Sequence, residues 1–181
     1  MYASSEDEIA VHLYGGSEAR FELAGTQVTL RQETRYPWDG AIRITATLTA
    51  PTRFAVSLRI PEWATGAILS LNGAPVDLAA VVVDGYARIE RDWSEGDEIN
   101  LDLPLKTRLL HANPLIRQDA GRVAVVRGPL VYCVEETDNG AGLNRLTLTG
   151  SSIASAKETL VPELNGAVAI DVDAGKDEAN W

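Results

Sequence analysis

Asp and Glu are plentiful but mostly fall in turns or on polar strand faces, and the side chains that stand out for proton transfer or nucleophilic attack are His12, His111, Cys133 and the pair Glu135-Glu136. Nucleophilic catalysis needs a Ser, Cys or Thr held beside a base. His12 falls in the run Ile9-Ala10-Val11-His12-Leu13-Tyr14, which reads as a strand, and His111 falls in Leu110-His111-Ala112-Asn113-Pro114. Neither stands at a telling distance from a nucleophile, so both read as structural or solvent-facing. Cys133 lies between Tyr132 and Val134 in an expected strand and reads as a small buried hydrophobe, not a reactive thiol. Glycoside hydrolysis needs two carboxylates facing one bond. Glu135-Glu136 is the most suggestive pair, but neighbours on a strand point to opposite faces and are poorly placed to act together.

The aromatic residues offer a different chemistry. Tyr36-Pro37-Trp38-Asp39-Gly40 and Pro61-Glu62-Trp63 put tryptophans at strand ends. Tyr36, Trp38 and Trp63 could cover a core edge, pack on a neighbouring domain, or stack on sugar rings. Trp93, before the Ser94-Glu95-Gly96-Asp97 turn, reads as a structural strand residue. Gly15-Gly16 follows a strand, but no phosphate-binding lysine follows it. Asp138-Asn139 or Asp171 and Asp173 could give oxygens to calcium, yet the loop pattern that calcium needs is missing. One cysteine allows no intrachain disulfide and no zinc site built on several thiolates. No cofactor is expected in this chain.

The balance of 16 basic against 26 acidic residues gives a net charge of -10. Phosphate recognition needs clustered Lys and Arg, and here the basic residues are scattered. Nucleic acid and anionic membrane are therefore not expected partners. No apolar run reaches the length of a membrane-spanning helix. The N-terminus lacks the basic and apolar regions of a signal peptide. The single cysteine fits a cytosolic setting, although any leader would lie upstream and localisation stays open.

The elements that must position these residues are strands. Ile42, Ile44, Ala46 and Leu48 alternate with polar residues, as do Val56, Leu58 and Ile60, then Leu69 and Leu71, then Ile99, Leu101, Leu103 and Leu105. Period-two alternation puts one face on a core and the other in water. Asn72-Gly73 and Asp84-Gly85 suit two-residue hairpins, and Asp39-Gly40 and Ser94 to Asp97 add further turns. The run Leu78 to Val83 ends in three valines, which argue against a stable helix. Alternation stops after Leu105, and a new strand pair is expected over Arg122 to Glu136, broken at Gly128-Pro129. The fold class is all-β: an antiparallel, jelly-roll-like β-sandwich in two parts, residues 1–105 and 106–181.

An ordered series of segments resembles glycoside hydrolase family 127, the β-L-arabinofuranosidase-like enzymes. The series comprises His12-Leu13-Tyr14, Tyr36-Pro37-Trp38-Asp39-Gly40, Leu58-Arg59-Ile60-Pro61-Glu62-Trp63, Asn72-Gly73, Gly85-Tyr86, Ile89 to Trp93, Gly96-Asp97, Leu101 to Leu105, and Gly121 to Asn139. It runs from about residue 2 to about residue 142. The resemblance implies an (α/α)6 catalytic barrel followed by two β-sandwich regions, of which this chain resembles only the latter. It places a zinc site of three cysteines and a glutamate in the barrel, with one thiolate as nucleophile in retaining removal of L-arabinofuranosyl groups. None of those ligands maps here, and Cys133 matches a different position and inherits no role. The family's adjacent cysteine pair is expected just before Tyr2. The end at Trp181 falls short of the family's pattern, so the second sandwich is expected to lack closing strands.

The sequence therefore reads as a non-catalytic accessory region that braces the catalytic barrel and contributes to a homodimer. The alternative is a carbohydrate-binding module using Tyr36, Trp38 and Trp63.

Overall fold

The computed structural model describes residues 1–164 and 166–176. The chain divides into two compact units, Met1–Leu105 and Lys106 onward. The expected shortfall at Trp181 lies outside the described residues.

The first unit runs β1 (Tyr2–Ser4), β2 (Glu8–Val11), β3 (Ser17–Leu23), β4 (Thr26–Thr34), β5 (Ala41–Leu48), β6 (Thr52–Arg59), β7 (Ile68–Leu71), β8 (Ala74–Val76), the single turn α1 (Leu78–Val81), β9 (Val82–Val83), β10 (Tyr86–Trp93) and β11 (Glu98–Asp102). Two sheets form, in the orders β1-β2-β6-β10-β9 and β3-β4-β5-β11-β7-β8. Neighbours are antiparallel apart from β2 and β6, which pair in parallel, Ile9 opposite Val56. One core joins the sheets. Ile9, Val11, Phe54, Val56, Leu58, Ile89 and Trp93 come from one, and Val28, Leu30, Ile42, Ile44, Leu69, Ile99 and Leu101 from the other. This is the sandwich that the alternation demands, because each sheet has one apolar face to bury.

Trp93 fixes the middle of this core. It is fully buried, it stacks on Phe54 with ring centroids 5.6 Å apart, and its indole N–H donates to the Phe54 carbonyl at 3.0 Å. A buried indole needs such an acceptor, and here the strand beside it supplies one. The turn after Trp93 is tied down by Asp97. Its carboxylate accepts from the Ser94 N–H at 2.8 Å and from the Asn72 side-chain amide at 2.7 Å. Asn72 in turn accepts from the Glu98 N–H at 2.8 Å. One carboxylate thus locks the β10–β11 turn to the β7–β8 hairpin.

The hairpin dipeptides behave as expected. Asn72-Gly73 and Asp84-Gly85 have positive φ at both residues, the geometry that matches strand twist. Ala24-Gly25 makes the same turn between β3 and β4, and sequence reading misses it because alanine is a poor left-handed residue. The run Leu78 to Val83 divides: Asp77 accepts from the Ala79 N–H at 3.0 Å and caps one helical turn, and the valines at its end then enter β9.

The second unit holds α2 (Glu136–Asn139), α3 (Gly150–Ala154) and three small antiparallel sheets. They are β12 (Thr107–His111), β13 (Val123–Arg127) and β14 (Leu130–Tyr132); β15 (Leu146–Thr147) with β18 (Gly175–Lys176); and β16 (Lys157–Val161) with β17 (Ala167–Asp171). Glu158 on β16 accepts from Thr107 at 2.6 Å and from Arg127 at 2.8 Å. Burial pulls its carboxyl upward, but the Thr107 hydrogen bond and then the Arg127 bond and charge outweigh that and hold it below the ordinary value.

Two expectations are corrected in this unit. Cys133 is exposed, because β14 is a three-residue edge strand and the chain leaves the ladder after Tyr132. Glu135 and Glu136 are not on a strand. Glu135 caps α2 and Glu136 begins it. Among the described residues, no helix is long and apolar enough to cross a membrane.

Asp97→Ala should destabilise the first unit by about 1–2 kcal/mol, since it removes the shared acceptor of two part-buried hydrogen bonds. A urea unfolding midpoint unchanged from the parent chain would refute the locking role.

Candidate functional site

The segments singled out by sequence meet at one end of the first unit. Five strand ends lie there: the C-termini of β2, β4 and β6 and the N-termini of β5 and β10. Arg59, the last residue of β6, holds them together. Its carbonyl accepts from the Tyr14 hydroxyl at 2.6 Å. Its guanidinium donates to the Gly85 carbonyl at 3.1 Å and sits over the Tyr86 ring, 5.5 Å from the centroid. The His12 ring bonds the Tyr86 hydroxyl through Nδ1 at 2.7 Å. Tyr36 packs edge-on against Tyr14 at 5.9 Å.

The loops are equally constrained. In the 35–40 turn, the Trp38 N–H donates to the Arg35 carbonyl at 2.9 Å, and Asp39 accepts from the Ala41 N–H at 3.2 Å. Gly40 passes against the backbone of Leu103, where any side chain would run into the Leu103 carbonyl oxygen. Only glycine fits this crossing. In the 60–67 loop, the Ile60 N–H donates to the Gly85 carbonyl at 2.8 Å, and the Ala64 N–H to the Pro61 carbonyl at 3.0 Å.

The three aromatic candidates differ in setting. Tyr36 and Trp63 are half-buried and pack against the core cluster. Trp38 is 44% exposed. Sequence reading missed Tyr14, Arg59 and Tyr86 as the joining residues. Their alternation pattern signals only strands; the junction arises where separate strand ends meet. Burial first, and then the neighbouring Tyr36 and Tyr86, hold the Tyr14 phenol far above the ordinary value of 10.0. Tyr14 is therefore a fixed hydrogen-bond donor, not a proton shuttle. Tyr36 is raised by burial.

Apolar surface concentrates at this same end. The exposed large apolar residues of the first unit are Met1, Leu13, Trp38, Ile68 and Val83. Met1 belongs there because its carbonyl accepts from the His12 N–H at 2.9 Å. Ile68 belongs there because it pairs with Asp102, next to Leu103 and Gly40. Val83 pairs with Tyr86. The opposite end carries the Ser94–Asp97 turn and the acidic stretch around Asp7, where the Ala55 N–H donates to the Asp7 carbonyl at 2.8 Å.

His111 ends β12 and is exposed. Asp138 and Asn139 lie in α2, and Asp171 ends β17. Among the described residues no three His, Cys, Asp or Glu side chains are grouped to hold a metal ion.

Two family models match consecutive parts of the chain. The middle domain of family 127, described as β-L-arabinofuranosidase, matches residues 8–105, and the C-terminal domain of glycoside hydrolase family 127 matches residues 107–170. A non-reducing-end β-L-arabinofuranosidase of Bifidobacterium longum is 35% identical over 159 residues, covering 84% of this chain and 24% of that protein. The crystal structure of a family 127 β-L-arabinofuranosidase from Geobacillus stearothermophilus superposes with a TM-score of 0.90 at 41% identity, covering 99% of this chain and 28% of that one. A second solved family 127 β-arabinofuranosidase gives 0.83 at 34% identity, covering 97% of this chain and 30% of that one. Fold and matches together define a β-rich portion of a glycoside hydrolase. The chain belongs to glycoside hydrolase family 127 and spans its middle and C-terminal domains, about a quarter of the length of the curated relative it matches.

Tyr14→Phe should destabilise the first unit by about 1–2 kcal/mol, since the Arg59 carbonyl loses its donor. The raised phenol also predicts a pH effect. Its contribution is complete below pH 10.0, where the unfolded phenol keeps its proton, and falls as pH rises beyond that value. Thermal melts at rising pH should show a shallower alkaline decline in Tyr14→Phe; equal slopes would contradict the assignment.

Proposed function

We propose that this chain is the accessory β-region of a family 127 glycoside hydrolase acting on L-arabinofuranosides or related sugars, and that it braces a catalytic barrel. The observation that carries the reading is the gathering of Leu13, Trp38, Ile68 and Val83 at one end of the sandwich. A tightly hydrogen-bonded end that also exposes its apolar side chains suits a packing surface, because exposed apolar clusters mark contact sites. Half-buried Tyr36 and Trp63 stiffen that surface from beneath. The cysteine thiolates and zinc of the family chemistry belong to the barrel in this reading, and no step of the hydrolysis is assigned to residues of this chain.

The second unit contributes a further contact surface. It exposes Leu110, Leu115, Ile116, Val131 and Val134, apolar material suited to a homodimer contact. A sugar platform on Tyr36, Trp38 and Trp63 is the weaker reading. Stacking needs open ring faces, and two of the three rings pack on the core.

The purified chain should release no arabinose from an aryl β-L-arabinofuranoside; sustained release would overturn the accessory role. In the full-length enzyme, Trp38→Ala should lower the unfolding temperature of the barrel while barely changing that of the isolated chain. Equal effects on both would show that Trp38 serves only its own unit.

A further inference from the structure

The first unit has four edge strands: β1 and β9 on one sheet, β3 and β8 on the other. An edge strand offers unpaired backbone N–H and C=O groups, and proteins blunt such edges with short strands or proline. Three of the four are blunted in this way. β1 has three residues, β9 has two, and β8 has three with Pro75 in the middle. β3 is the exception. It runs seven residues, Ser17–Leu23, without proline, and its register with β4 is unbroken from Ser17 opposite Gln32 to Leu23 opposite Thr26. Tyr2 reaches it through side chains, by its hydroxyl to Ser17 at 2.9 Å and by its ring to Phe21 at 5.7 Å. Among the described residues, no backbone hydrogen bond joins residues 18–22 to anything but β4.

The side chains along this edge are self-complementary. Glu18, Arg20 and Glu22 share the outward face of the sheet, and Ala19, Phe21 and Leu23 share the inward one. The Arg20 side chain is 80% exposed, and its counter-ion within the chain is Glu18 at 3.2 Å. Glu18 also stands opposite Arg31 on β4. Glu22 stands opposite the neutral Gln27, and its side chain makes no ion pair or hydrogen bond among the described residues. The edge thus carries a well-exposed guanidinium and, two residues on, a carboxylate without a counter-ion.

We propose that β3 pairs antiparallel with β3 of a second copy of this chain, Phe21 lying opposite Phe21 on the two-fold axis. Strand periodicity restricts the register. The two sheets keep their outward faces on one side only if outward residues stand opposite outward residues, because a slip of one residue exchanges the faces. Centring on Arg20 sets Arg20 against Arg20 and Glu18 against Glu22, and like charges directly opposite are unfavourable. Centring on Phe21 sets Arg20 against the partner's Glu22 twice over, and gives Glu22 the counter-ion it lacks. Inside, Phe21 meets its own copy and Ala19 meets Leu23, so the apolar layer runs on across the junction. Centring on Ala19 pairs Arg20 with Glu18 instead, leaves Glu22 without a partner and sets the Ser17 hydroxyl against Phe21. The contact is isologous and closes as a dimer. It joins one sheet of each sandwich edge to edge, the strand-addition mode of recognition. It uses none of the apolar surface of the second unit and stands or falls apart from the role of that surface.

The test is sedimentation velocity of the whole chain over a dilution series, with charge reversals on the edge. The parent chain should dimerise reversibly. Arg20→Glu or Glu22→Arg alone should weaken association about tenfold, since two attractive cross-strand pairs become repulsive. The double variant Arg20→Glu/Glu22→Arg should recover the parent affinity, whereas the register centred on Ala19 gives no recovery. Hydrogen exchange of the unaltered chain is a readout that no folding defect can disturb: amides within residues 19–23 should exchange more slowly as concentration rises. Three results would each overturn the proposal: a monomer at every concentration, a dimer indifferent to both single reversals and without concentration-dependent protection of β3, or single losses that the double variant does not repair.

Discussion

Arg59 is the residue on which the organisation of the first unit turns. It ends a central strand and serves three neighbours at once. Its carbonyl satisfies Tyr14, its guanidinium satisfies the Gly85 carbonyl, and its flat face covers Tyr86. Through Tyr86 it reaches His12, and through Tyr14 it reaches Tyr36. Lysine would not replace it, because a point charge on a flexible stem cannot stack and donate in one fixed geometry. Loops held this tightly lose little entropy when a partner packs on them, which suits a contact surface.

The two faces of β6 divide the work of the five-stranded sheet. Inward, Phe54, Val56 and Leu58 give core stability, with Trp93 stacked on Phe54. Outward, Ala55 and Ser57 leave room, and the ion pairs of Arg53, Arg88, Glu8 and Glu90 stand around it. Those pairs are largely exposed, so their contribution to stability is small. Their effect is on shape and charge: they hold long side chains upright beside a shallow floor.

The two units reach order by different means. The first has a continuous apolar core between two sheets. The second relies on short ladders and on a hydrogen-bonded ion pair, Arg127 to Glu158, reinforced by Thr107. Its apolar residues are more exposed, with Leu115 at 89%.

The sequence by itself determined the strands of the first unit that alternate cleanly, β5 and β7, together with the second half of β6 and most of β11. It also determined the Asn72-Gly73 and Asp84-Gly85 hairpins, the structural place of Trp93 and the family. These are local signals: period two, positive φ, and ordered motifs. It did not reveal the parallel pairing of β2 with β6, because pairing between distant segments leaves no local trace. It misplaced Cys133 and Glu135-Glu136, because where a short edge strand stops depends on its neighbour and not on its own residues. The meeting of Tyr14, Tyr36, Arg59 and Tyr86 at one end, and the burial of Ala55 and Ser57 on the outward face of β6, were decided only by tertiary structure. Each depends on which strand ends and strand faces come side by side, and that follows from the burial of the whole core.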